Sequence, residues 1–199
     1  MLLICFDMDG TVIDSMPTLT TSAIQVICQF YKLSPEEAKQ QYLKSTGIPF
    51  FQQLEKLFPK DFRNGNAARE YEHIHRSWCP DFPLAPNIKE ARMEIKRAGH
   101  KAALVTSTDY HLLKYLPQIR SLQFDHVDGF SQGRSKIEQI QRVQTIFSPS
   151  KTVMLGDTIY DSSVAMATGA EFHMVTCATV AGIILSVLKE ARETVHHLS

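Results

Sequence analysis

A short apolar segment at the start of the chain ends in two carboxylates. Leu2 to Phe6 are all hydrophobic, and Asp7 and Asp9 follow them, with a glycine at position 10. An apolar run of this length is typical of a parallel strand covered on both faces. Aspartate is rare in strands and like charges repel, and a simple turn before a helix would need only one of the two acids. We interpret Asp7 as a nucleophile for phosphoryl transfer and Asp9 as its acid/base partner.

Similar apolar runs recur along the chain, each followed by polar residues. They span residues 102–105, 152–155 and 172–176, and a weaker run ends near Asp128. Between them, apolar residues repeat with helical spacing over about 88–98, 137–147 and 180–188. Because strands and helices alternate, the sequence predicts an α/β fold built on a parallel sheet.

Residues 15–83 interrupt this alternation. They contain four successive helical patterns with no strand between them, and a proline-rich segment over 80–86 follows. The pattern predicts an α-helical domain over 15–83, inserted into a sheet domain formed by 1–14 and 84–199. The insert leaves the sheet domain just after the two acids, where it could cover them.

Bulk composition restricts the partners of the chain. Lys and Arg number 21, as do Asp and Glu, so the formal charge is +0 and no basic surface attracts nucleic acid or anionic lipid. The start of the chain lacks a signal-peptide pattern, and no apolar run is long enough to span a bilayer. We therefore expect a cytoplasmic protein that binds neither nucleic acid nor membrane. Its oligomeric state stays open between a monomer and a small homo-oligomer.

Further polar residues follow the other predicted strands. In an open parallel sheet, ligands bind beyond the carboxyl ends of the strands, where Asp7, Thr106 and Asp157 are all expected. Asp161 lies one helical turn after Asp157. A set of carboxylate oxygens without His or Cys is the ligand set of a hard cation, most simply Mg²⁺. Asp161 has an alternative interpretation as an acid in the first turn of a helix, favoured by the helix dipole.

Lys136 is the candidate for a second positive charge. It opens a predicted helix, where the dipole disfavours a cation, so a carboxylate partner would explain its position. The alternative is a solvated lysine in the first turn. Arg134 is the fallback for the same role.

Taken together, these segments resemble the four motifs of the haloacid dehalogenase superfamily, in the correct order and over essentially the whole chain. The motifs are Asp7-Met8-Asp9-Gly10-Thr11, Thr106-Ser107, Lys136, and Gly156-Asp157 with Asp161. The resemblance implies a Rossmann-like core with helices on both faces of the sheet. It also implies that the helical insert is a cap of the C1 type. An acid two residues after the nucleophile indicates the phosphatase branch, because the dehalogenases lack it.

The resemblance also implies the role of each motif. Asp7 would attack phosphorus and form an aspartyl-phosphate, and Asp9 would protonate the leaving oxygen and then deprotonate water. The phosphoryl group would be held by Thr106, Ser107 and Lys136. Mg²⁺ would be bound by Asp7, the Asp9 carbonyl and Asp157, with Asp161 as a ligand through water or as an orienter of Lys136.

One loop of the helical insert is a further candidate. Gly47 resembles the glycine of the cap loop that enters the active site in relatives, and Lys44 could then contact a substrate anion or be solvated. We expect a Mg²⁺-dependent phosphatase (a phosphoric monoester hydrolase) acting on a small phosphorylated metabolite. The alternatives are a sugar-phosphate phosphomutase on the same scaffold and a non-catalytic interaction protein that keeps the fold.

Overall fold

The computed structural model describes residues 1–131 and 134–196. The chain divides into two compact units. The first contains residues 1–14 together with those from 83 onward, and the second contains residues 15–82. Pro83, which the sequence assigned to the helical insert, belongs to the first unit because its carbonyl oxygen accepts the Asp14 amide at 2.9 Å.

The first unit is built on a parallel sheet. In the described residues it has five strands: β1 Leu2–Phe6, β2 Lys101–Asp109, β3 His126–Phe130, β4 Lys151–Gly156 and β5 Glu171–Met174. Their order is β3-β2-β1-β4-β5. The first strand of the chain is therefore the central one, and all five of its residues are buried, as its uninterrupted apolar pattern predicts.

Ten α-helices complete the described chain, and a short 3₁₀ turn covers Cys79–Asp81. They are α1 Met16–Tyr31, α2 Pro35–Leu43, α3 Phe50–Leu57, α4 Asn64–Trp78, α5 Ile88–Arg97, α6 Tyr110–Leu113, α7 Pro117–Leu122, α8 Lys136–Phe147, α9 Ile159–Thr168 and α10 Val180–His196. The short helices α6 and α7 lie between β2 and β3, where the sequence indicated no regular element. None of the helices in the described residues is both long and apolar enough to cross a membrane.

Helices pack on the sheet of the first unit. On one face, α8 and α9 bury a cluster that includes Leu3, Cys5 and Met154 from the strands and Ile140 and Val164 from the helices. Alternate strand residues point to the other face, where α5 contacts β2 and packs against α10. The predicted α/β fold with a parallel, Rossmann-like sheet is confirmed.

The second unit consists of α1 to α4 and the 3₁₀ turn. Its core is aromatic: Tyr31 stacks on Phe58 with ring centroids 3.8 Å apart, and Phe50 stacks on Tyr71 at 4.0 Å. The Tyr31 hydroxyl donates to Asn64 Oδ1 at 2.5 Å, so its polar end is satisfied inside the bundle. The unit thus has its own hydrophobic core.

Candidate active site

Asp7 lies at the carboxyl end of the central strand. Its amide donates to the Leu155 carbonyl at 2.9 Å, which extends the β1–β4 pairing by one residue. The chain then turns sharply: the Ile13 amide donates to the Met8 carbonyl at 3.0 Å, and Gly10 has a φ of 79°, which glycine adopts without steric strain. The Asp7 residue is only 5% exposed. A carboxylate buried to this extent needs a charged or hydrogen-bonding partner.

That partner is Lys136, the first residue of α8. Its Nζ donates to Asp7 Oδ1 at 2.7 Å and to Asp161 Oδ1 at 2.8 Å. The start of α8 is fixed by a capping box in which Ser135 and Glu138 bind each other's backbone amides. Lys136 is 2% exposed, so it is not the solvated first-turn lysine of the alternative interpretation. The lysine joins two acids that are far apart in the sequence.

Asp161 is held by the start of α9. The Thr158 hydroxyl donates to Asp161 Oδ2 at 2.5 Å, and the Asp161 amide donates back to the Thr158 oxygen at 3.1 Å. With Lys136 on the other oxygen, Asp161 is completely buried. One carboxylate oxygen from each of Asp7, Asp157 and Asp161 lies within 4.8 Å of the others. The structure therefore brings together three of the predicted acids and the predicted lysine.

Gly156, the last residue of β4, makes room for Asp161. A Cβ at this position would lie 2.6 Å from the Asp161 Cβ, Cγ and Oδ2 atoms. We expect Gly156→Ala to displace Asp161, to lower activity at least tenfold and to destabilise the fold by about 1–3 kcal/mol. Gly182→Ala is the matched control: nothing lies within 4 Å of its added Cβ, and it sits inside α10, where alanine is the better helix former. Urea unfolding and activity assays check both variants, and equal behaviour would contradict the close-packing argument.

The acids of the cluster shift each other's ionisation. Burial raises the pKa of Asp157 to about 7, and the neighbouring Asp161 adds to the rise. Burial also raises the pKa of Asp7, with Asp161 and Asp157 adding to the rise and Lys136 opposing it. Burial disfavours the Lys136 ammonium, but Asp161 and Asp7 outweigh it and raise its pKa. In the metal-free site, protons therefore compete with any cation for Asp7 and Asp157.

The raised pKa of Asp157 predicts how stability depends on pH. The unfolded chain loses this proton near 3.8, whereas the folded protein holds it up to about 7. Between these values folding takes up a proton, so the contribution of Asp157 to stability falls as the pH rises and is fully lost above about 7. In metal-free buffer we expect Asp157→Asn to gain on the order of 2 kcal/mol over the wild type between pH 5 and pH 8. Urea unfolding at both pH values checks this, and a constant difference would contradict it.

The donor set fits a hard divalent cation. Asp157 Oδ1 is buried and has no hydrogen-bond partner among the described residues. Among the described residues, the cluster consists of three carboxylates, two of which pair with the Lys136 ammonium, and it contains neither histidine nor cysteine. Mg²⁺ prefers such oxygen ligands. Because both oxygens of Asp161 accept hydrogen bonds, its contacts fit an orienter of Lys136 better than a direct ligand.

Asp9 is oriented differently from the three clustered acids. Its Oδ2 accepts a hydrogen bond from the Thr108 hydroxyl at 2.9 Å, and its carboxylate is not part of the cluster. A contact of its side chain with a metal is therefore not indicated. The backbone carbonyl of Asp9, which the resemblance assigns to Mg²⁺, stays a prediction.

The sequence placed Thr106 beyond the end of its strand. In the structure it lies within β2. The pairing of β2 with β3 is irregular between Val105 and Asp109, so the strand changes course there. The Gln139 side chain holds the Thr106 backbone: the Thr106 amide donates to Gln139 Oε1, and Gln139 Nε2 donates to the Thr106 carbonyl, both at 3.0 Å. Sequence reasoning missed Gln139, although a polar residue on the apolar stripe of α8 was a signal.

Ser107, Arg134, Lys44 and Gly47 are the remaining predicted residues. Ser107 is half-buried next to Thr106. Arg134, the fallback for Lys136, instead pairs with the buried Asp128 at 3.1 Å. Lys44 and Gly47 belong to the second unit, where Lys44 is exposed and Gly47 has a φ of 99°. Their roles in substrate binding stay predictions.

Comparison with known proteins connects this geometry to a family. Residues 4–175 match the family model of the haloacid dehalogenase-like hydrolases. No curated protein matches the sequence significantly.

Solved structures share the fold at low identity. A structure described as a predicted phosphatase from Clostridium acetobutylicum is 19% identical, with a TM-score of 0.70 over 94% of this chain and 89% of that one. A haloacid dehalogenase-like family protein from Streptococcus pneumoniae is 21% identical, with a TM-score of 0.70 over 94% and 90%. CbbY from Rhodobacter sphaeroides, in complex with xylulose-1,5-bisphosphate, is 16% identical, with a TM-score of 0.67 over 88% and 87%.

The family model covers most of the chain, and the matched residues include Asp7, Thr106, Lys136 and Asp157. The solved structures share the fold over most of the chain and include proteins described as phosphatases. The chain therefore belongs to the haloacid dehalogenase-like hydrolases.

Proposed function

We propose that this hydrolase is a Mg²⁺-dependent phosphatase that removes phosphate from a small phosphomonoester through an aspartyl-phosphate on Asp7. One observation carries the proposal. The Lys136 ammonium lies between Asp7 Oδ1 and Asp161 Oδ1, at 2.7 and 2.8 Å, with the Asp157 carboxylate in the same cluster. This arrangement fixes the orientation of the Asp7 carboxylate. It also groups three carboxylates with one ammonium, so a bound cation would balance the remaining negative charge.

In the first half of the reaction, an oxygen of Asp7 attacks phosphorus. The bond from phosphorus to the ester oxygen breaks, and Asp9 gives a proton to that leaving oxygen. The Lys136 ammonium balances negative charge on the phosphoryl oxygens, and the Thr106 hydroxyl donates a hydrogen bond to them. Charge stabilisation and positioning dominate this kind of transfer, so a fixed lysine and a fixed threonine are suitable for it.

In the second half, water attacks the phosphorus of the aspartyl-phosphate. Asp9, now deprotonated, accepts a proton from that water, and the bond between phosphorus and the Asp7 oxygen breaks. Inorganic phosphate leaves, and both aspartates return to their initial states. Bound Mg²⁺, held by Asp7 and Asp157, would supply positive charge to the transferring group.

A cavity in the first unit could accommodate the rest of the substrate. It has a volume of about 650 Å³, and the described residues that line it are Asp109, His111, Phe130, Ser131 and Arg134. These residues follow Thr106 and precede Lys136 in the chain, beside the carboxyl ends of β2 and β3. The size suits a small metabolite, and the lining is largely polar. The sugar bisphosphate bound by the Rhodobacter relative makes sugar phosphates a sensible part of any substrate panel.

Release of inorganic phosphate from a panel of metabolite phosphates tests the proposal. The whole chain is assayed with Mg²⁺, with excess chelator and with Ca²⁺. We expect turnover with Mg²⁺ only. Ca²⁺ accepts six to eight ligands and readily binds both oxygens of a carboxylate, so it would occupy the oxygen with which Asp7 attacks. Full activity in chelator would contradict a catalytic metal.

The same panel separates the alternatives. A phosphomutase would isomerise a sugar phosphate and release little phosphate. A non-catalytic interaction protein would turn over nothing, including an activated aryl phosphate. Either result would overturn the proposed function.

A further inference from the structure

Thr108 connects two of the proposed catalytic groups, although none of the four family motifs contains it. It lies on β2 two residues after Thr106, and both residues are buried. It is 9% exposed. Its amide donates to Thr106 Oγ1 at 3.1 Å, and its hydroxyl donates to Asp9 Oδ2 at 2.9 Å.

The contact with Asp9 fixes the orientation of that carboxylate. A hydroxyl has one proton to donate, and Thr108 gives it to Oδ2. A threonine side chain is also stiff about χ1, because its Cβ carries two heavy atoms. One oxygen of Asp9 is thus held by a nearly rigid donor, which restricts the orientation of the whole carboxylate.

The contact with Thr106 orients the second group. Because Thr106 Oγ1 accepts the Thr108 amide, one of its lone pairs is occupied and its own O–H can donate elsewhere. In the proposed function this O–H donates to the phosphoryl group. Thr106 and Thr108 both lie in the segment between Val105 and Asp109, where the pairing of β2 with β3 is irregular.

We infer that Thr108 is a positioning residue for proton transfer: its hydroxyl holds the Asp9 carboxylate in the orientation in which it meets the leaving oxygen. The inference rests on the proposed function. It predicts that loss of the hydroxyl damages the protonation of poor leaving groups specifically. Good leaving groups depart without a proton and should be affected little.

The test is Thr108→Val, which keeps the shape and the backbone contact with Thr106 but removes the hydroxyl. Because kcat/KM reports cleavage of the ester bond, it is compared for an alkyl phosphate and for 4-nitrophenyl phosphate. We expect a loss of about tenfold to a hundredfold for the alkyl ester and less than about threefold for the aryl ester. Thr108→Ser should recover most of the alkyl activity. Thr108→Ala provides a second variant without the hydroxyl, should the valine disturb folding.

Thr152→Val is the matched control for the general cost of removing a buried hydroxyl from this sheet. Thr152 is 6% exposed, and its oxygen accepts from Gln144 at 3.2 Å, at the start of β4 and away from the acids. It should lower both activities equally, if at all. Asp9→Asn should give the same preference for aryl esters as Thr108→Val, with a larger loss.

The two proposals fail in different ways. In the first case the wild type releases phosphate, but Thr108→Val and Thr108→Ala lose the same activity on both esters or lose none. Thr108 then does not position Asp9, and the proposed phosphatase function stands. If the wild type releases no phosphate from either ester, the proposed function itself is wrong.

Discussion

We expect Asp7→Asn to lower Mg²⁺-dependent phosphate release by about 10⁴-fold or more. An amide cannot form the aspartyl-phosphate, and no other described carboxylate holds the same position at the end of β1. KM for the residual reaction should change little, since Lys136 and Thr106 remain in place. Retention of a tenth of the activity would contradict the assignment of the nucleophile.

The same variant should not lose stability in metal-free buffer. Burial and the neighbouring acids raise the pKa of Asp7, so ionisation of this group is unfavourable in the folded protein. Replacing it by a neutral amide removes one of the three clustered carboxylates, and we expect thermal stability to stay constant or rise.

Asp125→Asn is the contrasting control. Asp125 pairs with Arg92 at 2.8 Å and Lys101 at 2.9 Å, and it lies outside the candidate site. Its loss should cost stability and spare turnover. A stabilising Asp125→Asn, or an Asp7→Asn that unfolds the protein, would contradict the division between a functional and a structural acid.

The second large effect is expected for Lys136→Met. This change removes the Lys136 ammonium from between Asp7 and Asp161, so their buried carboxylates repel each other. Removal of one member of a buried ion pair typically costs about 3–5 kcal/mol, and we expect a loss of that size without metal. Turnover should fall by several orders of magnitude, because the nucleophile loses its orientation and the phosphoryl oxygens lose a counter-charge.

Added Mg²⁺ should raise the melting temperature of Lys136→Met more than that of the wild type, because the cation replaces part of the missing positive charge. The double variant Lys136→Met/Asp161→Asn removes one charge of each sign. It should recover part of the lost stability but none of the activity. Thermal melts with and without Mg²⁺ measure both effects. A double variant no more stable than the single one would show that the lysine acts through packing and not through charge.

Much of the fold was predictable from the sequence, because the patterns that indicate strands and helices are local. The uninterrupted apolar run of β1 predicts a strand covered on both faces, and the regular spacing of Ile140 and Val143 predicts α8. Each pattern needs only a few neighbouring residues. The family was predictable for a similar reason: its strongest motif, from Asp7 to Thr11, lies within five residues.

The contacts within the site could not be predicted without the tertiary structure. Thr108 and Asp9 are 99 residues apart, and Gln139 is 33 residues from Thr106. No local pattern pairs them, since each contact depends on strand register and on how α8 packs against β2. The sequence likewise ended β2 before Thr106, because polar residues there outweighed the strand signal.

By itself, the sequence determined the α/β class and the family, because residue type and short-range spacing are enough for these. It identified the clustered acids and the lysine as candidates, the lysine through its place in the family pattern. Only the tertiary structure decided that Lys136 is buried between Asp7 and Asp161, that both oxygens of Asp161 are occupied, and that Arg134 pairs with Asp128. The physical reason is that a charged side chain has several possible partners in a sequence. Folding selects one set of partners by bringing them within hydrogen-bond distance of each other and excluding water from them.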